Sequence, residues 1–400
     1  MGNKKVLFIN TVAGTGSVGR IITGLCDVLK AHGVDTLIAY GRGGYPREYN
    51  TYRITSDLDV YIHGFMSRIT DREGLYSSRA TKDFIKVIEE YDPDIVHIHN
   101  LHGYYLNYKI LFNYLAKSRR RIVWTLHDCW SFTGHCSHFE YIGCIKWMRG
   151  CYKCEQLKEY PKSVLCDATR KNYLLKREVF TKPDYMQIVT PSEWLKGKVE
   201  QSFLREYYVD VVPTGIDLER FSPVKSELRQ EYGLAGKKIV LGVANPWRDR
   251  KGLNEFVRLS SVLSDKYRIV MIGLKPSQIK SLPDNIIKIE KTNSIDQMAA
   301  WYSAADVYVN LTMEDTFPTT NIEALACGTP VVTYRSGGSP ESVDETCGIV
   351  VERNNMSGVV NAVEKLCFSG DLMRKECTAH AQLYDSRRRF NEYYEKVYDL

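Results

Sequence analysis

Two carboxylates stand eight positions apart, Asp315 and Glu323, in the stretch EDTFPTTNIEALACGTPVV that starts at Glu314. Thr319, Thr320 and Asn321 fill the turn between them. TTNIEALACG reads as a helix that begins near Thr319 and ends at Gly328. The free N–H groups at such a helix start attract phosphate. Glu323 falls one turn inside, where its carboxylate can accept two hydrogen bonds from a neighbouring pair of hydroxyls, the pair a ribose offers. Glu314 and Asp315, on the loop before the helix, are suited to a second polyhydroxylated group. The pattern fits a nucleotide diphosphate sugar. A first-turn glutamate that complements the helix dipole has the same appearance, and that alternative stays open here.

Three other clusters carry candidate chemistry. Gly14-x-Gly16-x-x-Gly19 follows an apolar run and precedes a helical one, in the manner of a dinucleotide-binding turn. Asp35 lies about 20 residues on, but not where a ribose-binding acid at a strand end is expected, so hydride transfer is disfavoured. A ligand contact and a plain tight turn remain equal readings of Gly14 and Gly16. Five of the eleven cysteines fall between Cys129 and Cys154. Cys136, Cys144, Cys151 and Cys154 have the count for a tetrahedral structural zinc, with His135 and His138 as substitute ligands. A reducing compartment argues against disulfides there. The stretch LFNYLAKSRRRIVW sets Lys117, Arg119, Arg120 and Arg121 after an aromatic helix, which suits either an anionic membrane surface or a solvated face.

These residues need a scaffold, and the pattern of apolar runs supplies one. KKVLFINT, VDTLIAYG, DIVHIHN, RIVWTLHD, MQIVTPS and VDVVPTG alternate with helical stretches. From Lys237 the pattern starts afresh, with KKIVLGVAN, YRIVMIGL, NIIKIEK, DVYVNL and TPVVTYR. Strands that alternate with helices predict α/β domains with parallel sheets. PTGIDLERFSP, rich in turn formers, reads as the linker. The expected division is a doubly wound domain over 1–212 with a cysteine-rich insertion at 129–154, a second over 213–383, and a C-terminal helix over 384–400 that returns to the first. Four hundred residues suit two cores. The net charge of +6 is too small to argue for nucleic acid and suits an anionic ligand or surface. The start MGNKKVLFIN lacks the apolar stretch of a signal peptide, so a cytoplasmic protein, at most peripheral to a membrane, is expected.

The motifs together resemble the retaining glycosyltransferases of family four, of the GT-B fold. That family carries a glutamate, seven residues, a second glutamate, and then Ala-Met/Leu-Ala-Cys/Ser-Gly-x-Pro-Val; Asp315 and Glu323 keep the spacing, with Asp315 in place of the first glutamate. VTPSEWLKG, VPTGIDLERFSP, DIVHIHNLHG and TLHD extend the resemblance over nearly the whole chain. HDCWSFTGHC resembles the branch that acts in bacterial surface polysaccharide synthesis, of the colanic-acid type.

The resemblance implies two Rossmann-like domains facing across a cleft, the first for an acceptor and the second for a UDP- or GDP-sugar donor. It makes RDRKG (Arg248 to Gly252) a diphosphate clamp of Lys251 with Arg248 or Arg250. Glu323 would hold the ribose and Asp315 or Glu314 the donor sugar. His127 would contact that sugar from the first domain. His97, His99 and His102 become a polar strand end facing the acceptor rather than a metal site. The implied reaction is transfer to a growing, lipid-linked glycan with no catalytic metal, beside the inner membrane face. A nucleotide-sugar epimerase of the same plan and a non-catalytic nucleotide-sugar binder are the alternatives.

Overall fold

The computed structural model describes residues 4–398. The chain divides into two compact units, Met1–Pro213 with Phe390–Leu400, and Thr214–Arg389.

Unit 1 is built on seven parallel strands: β1 (Lys5–Asn10), β2 (Asp35–Tyr40), β3 (Thr51–Arg53), β4 (Ile95–Ile98), β5 (Arg121–Thr125), β6 (Met186–Thr190) and β7 (Tyr208–Val211). Their order is β3-β2-β1-β4-β5-β6-β7. The run Val6–Ile9 is wholly buried, as expected of a strand covered on both faces. Helix α1 (Gly16–Ala31) buries Ile22, Leu25, Cys26 and Leu29, one stripe at helical spacing. Helices α2 (Asp57–Thr70), α3 (Ser78–Tyr91), α4 (Tyr108–Ser118) and α5 (Thr169–Phe180) follow. The order of strands reverses between β1 and β4, so the loops after these two strands meet at a switch point, the usual ligand position in such sheets.

The glycine loop follows β1 and lies at this switch point. Gly14 and Gly16 both adopt φ of +66°, and a Cβ on Gly14 would stand 2.9 Å from the Pro46 ring. Asp35 is the first residue of β2, in register with Lys5. It therefore lies at the opposite end of the strands from the glycine loop, which removes the hydride-transfer reading.

The C-terminal segment completes unit 1. Tyr393 donates or accepts a hydrogen bond with Thr125 Oγ1 at 2.5 Å, and the Tyr398 hydroxyl lies 2.6 Å from His97 Nδ1. Arg121 donates to the carbonyls of Val397 and Tyr398, both at 2.6 Å, and Arg120 pairs with Asp92 at 2.9 Å. Tyr108 and Phe112 of α4 are fully buried. Part of the basic stretch at 117–121 is thus engaged within unit 1, while Lys117 and Arg119 stay exposed. The aromatics before it face the core, and Arg120 and Arg121 are committed to neighbouring chain segments.

The segment 129–154 orders itself by burial. Phe132, Phe139 and Trp147 form an aromatic cluster with ring centroids 4.8–6.3 Å apart, each 4 % exposed or less. Lys176 of α5 is 2 % exposed and spans the Trp130 ring at 3.3 Å while donating to the carbonyls of Trp130 and Thr133. Burial drives its ammonium down to about 7, against the pull of surrounding acids and thiols.

Unit 2 carries six parallel strands: β8 (Lys238–Val243), β9 (Tyr267–Ile272), β10 (Ile286–Ile289), β11 (Val307–Asn310), β12 (Val331–Tyr334) and β13 (Gly348–Val351), in the order β10-β9-β8-β11-β12-β13. Its switch point lies between β8 and β11. The loops after those strands are RDRKG and the acidic loop of Glu314 and Asp315.

Candidate functional site

In unit 2 the topology brings the two loops together. Lys251 Nζ donates to Asp315 Oδ2 at 2.5 Å, and Arg250 Nη1 lies 3.7 Å from Glu314 Oε1. The loops are stitched by backbone as well: Met313 N donates to the Arg250 carbonyl at 2.8 Å and the Thr312 hydroxyl to the same oxygen at 3.3 Å. Asp315 is pinned in turn. Its carbonyl accepts from Gly338 N at 3.0 Å, and its carboxylate accepts from Phe317 N at 3.3 Å. Gly337 must be glycine, since its φ is +55° and a Cβ would sit 1.7 Å from the Asp315 carbonyl.

The four charges differ in access. Glu314 is buried, with 2 % of its side chain exposed, whereas Asp315, Lys251 and Arg250 keep 21 %, 26 % and 27 %. Asp315 is the acid that a ligand can reach, and Glu314 is the buried partner of Arg250. Arg248 is exposed and Arg250 half-buried.

The helix Thr319–Ala326 begins after Pro318 with no side-chain cap, so a side chain does not consume its leading amides. Glu323 is half-buried and oriented by two hydroxyls, Tyr302 at 2.9 Å and Thr319 at 3.4 Å. Burial and the Glu323 carboxylate both hold the Tyr302 hydroxyl in its protonated form. Tyr302 was not singled out by the sequence; it lies on the preceding helix, Ile295–Ala304, and only packing brings it to Glu323. Thr320 lies beside the Tyr308 hydroxyl. Asn321, expected at the ligand, has its side chain engaged by the protein on both sides. It is wholly buried, accepting from Asn310 Nδ2 and donating to Ser342 Oγ, both at 2.8 Å, and so it ties the helix to β11 and to the turn at Ser339–Ser342.

In unit 1 the strand ends of β4 and β5 carry a second cluster. His97 and His99 stack at 4.3 Å, as residues two apart on one strand face should. His97 is buried and engaged at both ring nitrogens, by Tyr398 and by Thr125. It is a core residue rather than part of an acceptor-facing edge. His99 Nδ1 and His127 Nε2 are 2.9 Å apart, which requires one ring to donate and the other to accept. Burial holds His127 down to about 4 and His97 to about 3, so both are neutral at ordinary pH.

Beyond them stands a carboxylate–imidazole pair. His102 Nε2 is 2.9 Å from Asp128 Oδ2, and His102 Nδ1 is 2.9 Å from the Tyr160 hydroxyl. Asp128 also accepts from Trp130 N at 2.8 Å. Burial alone would raise the Asp128 carboxyl, but His102, together with His138 and the Trp130 N–H, outweighs it and holds the group at about 2. Both side chains keep some exposure, 13 % and 16 %. A cavity lined by His99, His102, His127, Asp128, Trp124 and Ser131 opens here. The signal for Asp128 was present in TLHD: β5 runs parallel to β4 with His97 opposite Val123, so the residues that follow both strands have to meet.

The zinc shell expected from Cys136, Cys144, Cys151 and Cys154 does not fit these positions. Among the described residues, no three of those sulfurs come within range of a shared ion, and the one cluster that does is Asp344, Cys347 and His380. Cys136 and Cys154 instead hydrogen-bond each other, which pushes Cys136 up and Cys154 down to about 7. His135 is committed to Asp71, and the His138 carbonyl accepts from Gln156 Nε2 at 2.7 Å.

Comparison with known proteins agrees with the switch-point geometry. Residues 18–220 match the model of Glycosyltransferase Family 4, and residues 237–368 match that of Glycosyl transferases group 1. The chain belongs to glycosyltransferase family 4. Among its relatives is the "Putative colanic acid biosynthesis glycosyl transferase WcaC" of Escherichia coli K12, 26 % identical over 80 % of either chain. A D-inositol 3-phosphate glycosyltransferase of Corynebacterium kroppenstedtii is 27 % identical over 47 % of this chain and 48 % of its own. Among solved structures, the sucrose-phosphate synthase of Thermosynechococcus elongatus superposes with a TM-score of 0.72 at 17 % identity, covering 99 % of both chains. Anabaena Alr3699/HepE in complex with UDP gives 0.69 at 13 % identity, covering 99 % of this chain and all of that one. The fold is that of the GT-B glycosyltransferases. The family 4 enzyme described here is therefore a glycosyltransferase, and the epimerase alternative is not favoured.

Proposed function

We propose that this glycosyltransferase moves a sugar from a UDP- or GDP-sugar to a growing, lipid-linked glycan in bacterial polysaccharide synthesis, with retention at the anomeric carbon. The observation that carries the donor side is the meeting of Lys251 and Arg250 with Asp315 and Glu314 at the switch point of unit 2, beside the uncapped helix start and Glu323. Glu323 holds the ribose hydroxyls, with Tyr302 fixing its carboxylate. Lys251 with Arg248 or Arg250 holds the diphosphate, and Asp315 the donor sugar. Lys251 and Asp315 neutralise each other; an incoming diphosphate draws Lys251 to itself and leaves Asp315 to accept sugar hydroxyls.

In the reaction, the bond from the anomeric carbon to the β-phosphate oxygen breaks as the acceptor oxygen bonds to the same face of that carbon. The acceptor proton passes to the departing phosphate oxygen. Negative charge grows on the diphosphate in the transition state, and Lys251 acts there. His127, kept neutral, supplies a hydrogen bond to the sugar without adding charge. Acceptor hydroxyls fall to His99, His102 and Asp128 in unit 1. Gly14 and Gly16 let backbone approach the ligand.

The WcaC relationship supports a glycan acceptor, and the UDP held by the Anabaena protein makes uridine diphosphate the first nucleotide to try. Thermal melting with a panel of nucleoside diphosphates tests the donor side, because bound ligand raises the melting temperature by mass action. One base should stabilise far more than the others. No stabilisation by any of them would remove the nucleotide-sugar reading.

A further inference from the structure

Helix α2 is inverted in polarity. Its inner face is His63, Gly64 and Ser67, all buried, with Val60 half-buried beside them. His63 donates or accepts with Ser77 Oγ at 2.8 Å and accepts from Gly74 N at 3.1 Å, so the inward side is held by hydrogen bonds. The outer face is Leu58, Tyr61, Ile62 and Phe65, exposed by 67, 71, 49 and 52 %. The spacing i, i+3, i+4, i+7 puts all four on one stripe about 10 Å long. Ordinary surface helices are built the other way round. A contiguous apolar stripe in water marks a surface that something else covers.

The stripe continues onto a neighbouring loop. Val164 N donates to the Arg68 carbonyl at 2.8 Å, and Val164 and Leu165 are themselves exposed by 58 and 74 %. Cations gather at this end: Arg68 and Arg72 from the helix side, Lys158 and Lys162 from the loop, all exposed, against Glu159 and Asp167. The acids of α2, Asp57 and Asp59, lie at its other end. Asp57 pairs with Arg53, and Asp59 is bound by the hydroxyls of Ser56 and Thr55. Apolar side chains bordered by cations fit the boundary of an anionic leaflet, in which the chains enter the acyl region and the cations meet the headgroups.

We propose that α2 with the loop 162–165 is a membrane-docking surface for an anionic bilayer, with its Arg68 end turned toward the headgroups. It deepens the lipid-linked acceptor reading and rests on it for its purpose, though not for its measurement. The surface also connects to the acceptor cluster within unit 1. Tyr104 packs against Gly64 and the His63 ring, Tyr160 packs against Tyr104, and the Tyr160 hydroxyl meets His102. A glycan whose lipid stays in the leaflet under α2 therefore has the His102–Asp128 pair within the same short chain of contacts.

The test is co-sedimentation of the full-length protein with phosphatidylcholine vesicles, with and without phosphatidylglycerol, in the absence of donor and acceptor. Wild type should bind the anionic vesicles and release at high salt. The double variant Ile62→Glu, Phe65→Glu should lose about tenfold or more in partitioning. The variant Arg68→Glu, Lys162→Glu should lose binding only to the anionic vesicles, and it covers the case in which the apolar variant folds poorly. Both should keep the wild-type melting temperature and its shift with nucleotide. Failure of wild type to bind, or undiminished binding by both variants, overturns the proposal. So does a wild-type dimer, without vesicle binding, that Ile62→Glu, Phe65→Glu dissolves; the surface would then join two copies. Because no turnover is read, a failure here is distinct from failure of the transfer reading.

Discussion

Two clusters at strand ends, one in each unit, gather different kinds of polar group on the same type of parallel sheet. At β8/β11 four full charges meet: Arg250 and Lys251 against Glu314 and Asp315, all but Glu314 partly accessible. At the ends of β4 and β5 the rings of His97 and His99, buried, and of His127, half-buried, are neutral, and the acid Asp128 is held by His102. A diphosphate needs fixed positive charge that can exchange partners as the ligand enters. A sugar hydroxyl needs donors and acceptors at set distances, and extra charge beside it would be costly to bury. The proposed assignment of donor to unit 2 and acceptor to unit 1 rests on that contrast.

Acid should break the contrast most strongly. His97 and His127 titrate near 6.5 when unfolded, but burial holds them to about 3 and about 4 in the fold. The unfolded chain therefore binds more protons between those values. Stability is complete above 6.5 and is lost as the pH falls toward the folded pKa values. Each ring should cost about 2 kcal/mol at pH 5, so the two together about 4. Urea unfolding at pH 7.5 and pH 5, followed by tryptophan emission, measures this; a flat profile would mean that the rings are not buried neutral. Lys251→Ala comes next. It should lower turnover about 100- to 1000-fold with little change in the melting temperature, because the charge acts as the diphosphate departs. Turnover within a few-fold of wild type would remove Lys251 from the clamp.

Glu323→Ala should weaken nucleoside diphosphate binding by about 1–3 kcal/mol, read by calorimetry, and leave the acid profile of unit 1 untouched. Unchanged affinity in a folded variant would return Glu323 to a helix-dipole role. The smallest effects separate the two arginines. Arg250→Ala leaves the buried Glu314 carboxylate without its cation and should destabilise by about 1–3 kcal/mol. Arg248→Ala, at an exposed position, should stay within about 0.5 kcal/mol in stability. Equal losses would show that Glu314 does not depend on Arg250.

Much of the proposed donor site was legible because its signals are local. Asp315, Glu323, the helix start at Thr319 and the RDRKG loop each sit in a short motif at a strand end. What the motif did not show is that the Asn321 amide locks the loop from within. The cysteine segment was misread. Its aromatics Phe132, Phe139 and Trp147 are spaced irregularly along the chain and form a cluster only when folded, so a metal was invoked where burial suffices.

The sequence by itself determined the α/β class, the family and the residues at the strand ends, since apolar periodicity and motif spacing are properties of neighbours along the chain. Only the tertiary structure decided which of those residues meet. The pairing of Lys251 with Asp315 spans 64 positions and that of His97 with Tyr398 spans 301. It also decided that the basic run at 117–121 holds the C-terminal segment while α2 presents its apolar side to solvent. A helix with one apolar stripe reads the same in sequence whichever way it faces; only the packing of His63, Gly64 and Ser67 against unit 1 fixes that the stripe points outward.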